Sequence, residues 1–346
     1  VSIKRISKMK KVVILGERRA GLIEVPDPEP KEDWTLVKVH ASALCTEYKA
    51  FLQGRQMNLG GHEGVGEVVA VAQPGTAKIG DRVVILPQFP CGKCALCMAG
   101  DDVYCENNFN FEEIIGTKNG LGTFAQYTLA PSWRLLPIPE GVTYEHATLA
   151  IDGIGASFGA FQAINIGASD TVLITGLGPV GLGAVVNARF RNARVIGVEP
   201  IAWRRNRALQ MGAEAVIDPG EPDLVEKIQN LTGGKGVSCA LDCSGKVQSQ
   251  RLCIDNAMRR GRVAFVGESN DDLVIQVSPD LIRKGLTIIG SWLYNLADYP
   301  KVMQVIQQSP FIDLLVSHVM PMSQIQEGFE LMANGQCAKV VIQPWG

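Results

Sequence analysis

The chain has 346 residues, 46% of them apolar, enough for about two domains with full cores. Its 33 Lys and Arg against 35 Asp and Glu leave a formal net charge of -2, and without a basic block nucleic acid is not an expected partner. Nine cysteines, an odd number with several at metal-ligand spacing, do not read as a disulfide framework, so reduced thiols and a cytoplasmic location are expected.

Residues 1–8 read as a leader, and the apolar run that follows is too short for a signal peptide. A first strand is expected at 9–15. Val25-Pro26-Asp27-Pro28-Glu29-Pro30 reads as an extended connector, because a residue before proline is pushed out of the helical region. Residues 35–43 alternate as a half-buried strand and deliver Cys45 just beyond its end. After a loop at 53–58, Gly60-Gly61-His62-Glu63-Gly64 turns into another strand. Cys45 and His62 then fall at neighbouring strand ends, where a thiolate and an imidazole suit zinc. Two ligands alone prove little, and His62 by itself reads equally well as a structural histidine. Cys91, Cys94, Cys97 and Cys105 follow in a loop rich in Gly and polar residues. Four thiolates close a tetrahedral shell, so this reads as a structural zinc site with no open position. An iron–sulfur cluster is the alternative, but Cys105 lacks the following proline.

Thr171–Thr175 reads as a short buried strand that breaks into Gly176-Leu177-Gly178-Pro179-Val180-Gly181 and then a helix. The next strand, 195–198, ends on Glu199. This is a GxGxxG turn with an acid at the following strand end. Gly176 permits the tight turn, Gly178 lets a pyrophosphate reach the backbone, and Gly181 lets helix and strand pack closely. The helix N-terminus offers free N–H groups to the phosphates. The absence of charge from 171 to 188 raises the question of a membrane helix, but the glycines and proline within it favour strand–turn–helix, and no membrane partner is expected. Glu199 reads as the ribose acceptor, which favours NAD over NADP because a carboxylate repels a 2′-phosphate; a solvated strand end is the alternative. Arg204 and Arg205 lie near enough to hold such a phosphate. Beyond them, helices at 204–212 and 224–231 alternate with strands at 215–217, 238–242, 262–267 and 286–290, the mark of an α/β doubly wound parallel sheet. Cys239, Cys243, Cys253 and Cys337 are most simply small buried residues.

Two zinc signatures ahead of a dinucleotide turn bring a family into view. Through the GHEGVGEV string from Gly61 to Val68, the cysteine lobe at 91–105 and the GLGPVG turn, the chain resembles the zinc-containing medium-chain dehydrogenase/reductase family, the alcohol and polyol dehydrogenases, over residues 9–346. The resemblance implies a mainly β GroES-like catalytic domain at 1–152, a Rossmann domain at 153–294 and a return segment at 295–346 completing the first. It implies two zinc ions per chain. The catalytic one would take Cys45, His62 and Asp152, the last from Ala147-Thr148-Leu149-Ala150-Ile151-Asp152; an N-cap is the other reading of Asp152. Glu63 matches the family glutamate that can ligate zinc transiently. The family's Ser or Thr relay two residues after the first cysteine is absent: Glu47 stands there, and Ala50 where a histidine often follows. The proton then passes to Glu47 directly, to Thr46 after a backbone adjustment, or to water, unless Glu47 is only a solvated loop charge.

Gly176, Gly178, Val180, Gly181, Glu199 and Arg204 match family cofactor positions, and Cys243, Val266 and Gly267 the nicotinamide side. The implied activity is reversible oxidation of a secondary alcohol, first a polyol or sugar-derived one, to a ketone with NAD as hydride acceptor, in a homodimer or homotetramer. The rivals are a non-catalytic nucleotide-binding protein on the same fold, a zinc-independent quinone reductase and a nucleic-acid zinc module. The intact Cys45, His62 and Asp152 and the lack of a basic surround argue against them.

Overall fold

The computed structural model describes residues 8–57, 60–108 and 121–346. The expected leader, apart from its last residue, and Asn58 of the expected loop lie outside the described residues. The chain divides into two compact units. One runs through Ile151 and includes Val316–Asn334 and Lys339–Gly346; the other comprises Asp152–Leu315 and Gly335–Ala338.

In the first unit β1 (Lys8–Gly16) and β2 (Arg19–Pro26) form an antiparallel hairpin. The sequence reading did not separate β2 from the connector; the strand ends on Pro26, where a missing N–H stops the ladder. The main sheet of this unit uses β3 (Trp34–Ala43), β4 (Glu63–Ala70), β5 (Arg82–Ile85), β6 (Tyr127–Pro131) and β7 (Leu135–Pro137). Along β3 the fully buried Val37, Val39 and Ala41 alternate with half-buried Lys38 and His40. Val37 and Val39 pack with Val68, Val83 and Ile85, each such side chain contributing roughly 1.5–3 kcal/mol of burial.

The second unit carries β8 (Thr171–Thr175), β9 (Arg194–Val198), β10 (Ala215–Ile217), β11 (Val237–Asp242), β12 (Ala257–Phe265) and β13 (Thr287–Gly290). All are parallel, in the order β10-β9-β8-β11-β12-β13. Strand order therefore reverses between β8 and β11, the topological switch point where such sheets bind ligands at their carboxyl ends. Leu173, Ile174, Val195 and Ile196 have no exposure, as strands covered on both faces require.

The chain rejoins the first unit at β14 (Val316–Pro321) and β15 (Lys339–Gln343), giving the order β14-β15-β3-β4-β5-β7 with β6 on β3. The return was expected from residue 295. Residues 295–315 instead belong to the second unit, and within them the helix Tyr299–Gln308 buries Val302, Met303, Val305 and Ile306 along an apolar stripe. No helix among the described residues is long and apolar enough to cross a membrane; the charge-free stretch at 171–188 is strand, turn and helix.

Candidate active site

Strand register sets the site. Ala43 pairs with Glu63, so Cys45, two residues past β3, and His62, immediately before β4, emerge at neighbouring strand ends. Gly61 makes this possible: its φ is +97°, and a Cβ there would lie 2.5 Å from the Phe124 ring, a position open only to glycine. The helix Glu47–Gln53 starts two residues after Cys45 and brings the Glu47 carboxylate back over the pair. His62 Nδ1 donates to its Oε1 at 2.6 Å, and the Cys45 backbone N–H donates to its Oε2 at 3.1 Å. Burial alone would raise the Glu47 carboxyl, but the His62 charge and hydrogen bond, with backbone N–H groups, hold it below the usual carboxylate range. Glu47 is thus not a solvated loop charge. It orients an imidazole whose Nδ1 carries the proton, leaving Nε2 as the nitrogen that could ligate a metal.

Asp152 follows the last continuous residue of the first unit. The helix beyond it is Gly155–Ala163 with Ile154 at the N-cap, so Asp152 does not cap it. The turn carrying Asp152 is pinned from the helix Pro179–Phe190, where Asn187 Nδ2 donates to the Ile154 carbonyl at 2.9 Å. The ligand atoms of Cys45, His62, Glu63 and Asp152 all lie within 4.8 Å of one another. A thiolate, an imidazole and a carboxylate so gathered suit a zinc ion bound through bonds of about 2.0–2.3 Å. Glu63 stands apart within the group, because it is fully buried and ion-paired with the equally buried Lys339 of β15. That ammonium compensates a second buried carboxylate, which would otherwise be costly to ionise.

Cys91, Cys94, Cys97 and Cys105 also converge within 4.8 Å. Their Sγ–Sγ separations include 3.4 Å for Cys94–Cys97 and 3.9 Å for both Cys91–Cys97 and Cys94–Cys105. Four sulfurs bonded tetrahedrally to zinc at 2.3 Å stand roughly 3.8 Å apart, so the lobe already has the dimensions of the metal shell. The N–H groups of Lys93 and, against burial, Cys94 draw the Cys91 thiol down to about 6. Buried Arg134 pairs with Asp102 between the last two cysteines and ties the lobe to the sheet.

In the second unit Gly176 takes φ +78°, and a Cβ on Gly181 would lie 1.9 Å from the Gly176 carbonyl oxygen. By contrast, nothing comes nearer than the Arg204 guanidinium, 3.7 Å, to a Cβ on Gly178, so the space over that backbone suits a pyrophosphate. Pro179 opens the helix and Gly178 is its N-cap. Glu199 is 2% exposed and accepts the N–H groups of Leu177 at 2.7 Å and Ile201 at 3.0 Å; it is a turn organiser rather than a solvated strand end. Arg205 is held by the carbonyls of Glu199 and Pro200 and by Asp218 at 2.8 Å. At the carboxyl end of β11, Asp242 accepts from Thr175 Oγ1, Ser244 Oγ and the Gly245 N–H. The Asp242 carbonyl takes the N–H groups of Val266 and Gly267, so one residue fixes both loops expected on the nicotinamide side.

A dinucleotide turn together with a Cys–His–carboxylate cluster defines a class, the metal-dependent dehydrogenases. Comparison with known proteins narrows it. Residues 31–140 match the alcohol dehydrogenase GroES-like domain and residues 179–308 the zinc-binding dehydrogenase domain. L-threonine 3-dehydrogenase of Pyrococcus furiosus is 32% identical over 94% of this chain and 95% of its own. The zinc-type alcohol dehydrogenase-like protein YphC of Escherichia coli is 31% identical over 94% and 96%. The solved structure of alcohol dehydrogenase TADH from Thermus sp. ATN1 superposes with a TM-score of 0.86 at 25% identity, covering 96% of this chain and 99% of that one. The chain belongs to the zinc-dependent medium-chain dehydrogenase family.

Three contributors escaped the sequence reading. The pairing of Glu47 with His62 has no local sequence signal, because the two residues meet only through strand pairing. Lys339 carried a signal, a lone charge in the apolar run from Ala338 to Ile342. Asp242 read only as the end of a strand.

Proposed function

We propose that the protein oxidises a secondary alcohol to a ketone, reversibly, with NAD as hydride acceptor, at a zinc ion held by Cys45, His62 and Asp152. The observation that carries the reading is the ligand cluster with His62 locked by Glu47. A zinc ion held there would supply Lewis acidity toward the substrate hydroxyl, and bound NAD would supply the hydride acceptor. Glu47 fixes the tautomer and aim of His62, while Lys339 holds the charge of Glu63 beside the cluster. Glu47 is committed to His62 and to the Cys45 N–H, and the proton passes to water, directly or through Thr46. Thr46 is exposed at the start of its helix and makes no capping bond, so it can pass the proton to water. Glu199 favours NAD over NADP because a carboxylate repels a 2′-phosphate, and Arg205 is already held by Asp218 and two carbonyls.

The substrate class is a polar secondary alcohol, a polyol or sugar-derived one first. L-threonine, on which the Pyrococcus relative acts by name, is a secondary alcohol too and belongs in the same panel. The test is zinc content and NAD- or NADP-linked oxidation for the wild type and Asp152→Ala. Two zinc ions per chain falling to about one, with turnover lost, is the expected result. A single zinc in the wild type, or unchanged content in the variant, sinks the assignment.

A further inference from the structure

The dinucleotide turn occupies the carboxyl ends of the parallel strands, but the second unit also has a cavity at their amino ends. Three connections meet there: the loop entering β11, the direct junction of the helix Val247–Asn256 with β12, and the loop entering β13. The cavity measures about 330 Å³, within the range of small-molecule sites. Lys235 comes from the first loop, Arg259 from the start of β12, and Arg283 and Lys284 from the loop entering β13. The single acid in the lining is Asp255, and its carboxylate is already engaged by Arg251, Nε lying at 2.9 Å. Arg251 is shared with Asp280, so Asp255 keeps part of its charge, yet four cations around one acid are still a marked local excess in a chain whose basic and acidic residues nearly balance, 33 to 35.

The cations are also disposed to receive something. Lys284 Nζ donates to the carbonyls of Ile254 at 2.9 Å and Asp255 at 2.8 Å, which fixes it in the wall with a third N–H still to give. Arg259 donates to the Arg283 carbonyl at 3.3 Å. The side chains of Lys235 and Arg283 reach no acceptor among the described residues. The first loop is glycine-rich: Gly233 and Gly234 have φ of +60° and +74° with nothing within 4 Å of where a Cβ would sit, whereas Gly236 is pressed on the Asn256 carbonyl. The loop is therefore anchored next to β11 and open over the cavity.

We infer that this cavity is a second ligand site, for a phosphate group on a small molecule or for phosphate itself. Two guanidinium forks and two ammonium groups match the many acceptor oxygens and double charge of phosphate better than a lone carboxylate. The site is independent of the proposed alcohol oxidation and stands at the opposite strand ends from the cofactor turn.

The test is calorimetric titration of the full-length, zinc-loaded protein with inorganic phosphate and, separately, a small sugar phosphate, with excess NAD filling the glycine-rich turn. Saturable binding by the wild type, weakened about tenfold or more in the double variant K235A/R283A, is the expected result, in line with the loss of charge-assisted bonds. Both side chains are exposed and lack acceptors, so an unchanged unfolding temperature checks the fold; Lys8→Ala, an exposed lysine on β1, should bind as the wild type does. Tighter binding of the ester identifies a phosphorylated metabolite as the occupant, and equal binding identifies phosphate. No saturable binding at millimolar ligand, or equal affinity in wild type and double variant, overturns the inference.

Discussion

Glu47 offers the sharpest test of how the proposed zinc site at Cys45, His62 and Asp152 is held. In Glu47→Ala, His62 loses a 2.6 Å hydrogen bond to a buried carboxylate and the Cys45 N–H loses its acceptor. Removing an outer-shell carboxylate from a metal-ligating histidine typically costs 10–100-fold in affinity, about 1.4–2.8 kcal/mol. Glu47→Gln should lose less, because the amide oxygen still accepts the Nδ1 proton although the charge is gone. The assay is stepwise zinc release to a chelator, counted per chain. The four-cysteine lobe is the internal reference, since Glu47 is hydrogen-bonded to His62 and Cys45 instead. One zinc should leave at lower chelator concentration in the variant while the other leaves as in the wild type, and NAD-linked turnover should fall with the first. Identical release curves for wild type and Glu47→Ala would refute the reasoning; loss of both ions together would mean that the fold, not the ligand, had been disturbed.

Further tests follow from other contacts. Lys339→Met strands the buried Glu63 carboxylate and should cost about 3–5 kcal/mol in urea unfolding, much of it recovered in the double variant K339M/E63Q. Gly181→Ala drives a methyl into the Gly176 carbonyl and should destabilise by roughly 1–3 kcal/mol while weakening NAD binding, read by fluorescence titration. Cys91→Ser should remove the structural zinc and leave the other, read as metal per chain. Hydrogen bonds from Arg251 are the main force drawing the Asp280 carboxyl down to about 2 from 3.8. A depressed carboxyl stabilises the fold above its unfolded value and loses that contribution as pH falls toward 2. Asp280→Asn should therefore flatten the acid limb of the stability curve between those values and lower stability at neutral pH.

Much of this was readable before any coordinates. Leu173, Ile174, Val195 and Ile196 announce strands because both faces of a parallel sheet demand apolar side chains, and the glycines between them specify a turn that tolerates no Cβ. The alternation of β3 likewise gives away where Cys45 emerges. What stayed hidden has one physical cause: it depends on partners brought together by tertiary pairing. Glu63 meets Lys339 only after β15 has been laid beside β3, and no local pattern encodes that. Glu47 looked like a misplaced relay because its role rests on the φ of a glycine fourteen residues further on, at position 61. The late return to the first unit was missed because the stripe on Tyr299–Gln308 reads the same whichever unit it packs into.

The Glu63–Lys339 pair spans 276 residues of sequence, and this bears on how the protein is made. At translation rates of about 5–20 residues per second, tens of seconds separate the synthesis of the two partners. The Rossmann unit, nearly continuous in sequence, can fold on the ribosome while the Ser42–Ala43 end of one edge of β3, beyond the stretch paired with β6, waits for β15. Throughout that interval the Glu63 carboxylate has no ammonium to neutralise it, so it must stay hydrated or take up a proton. A nascent chain stalled before β15 is therefore the form most exposed to aggregation through that edge, and the one on which chaperones would be expected to act.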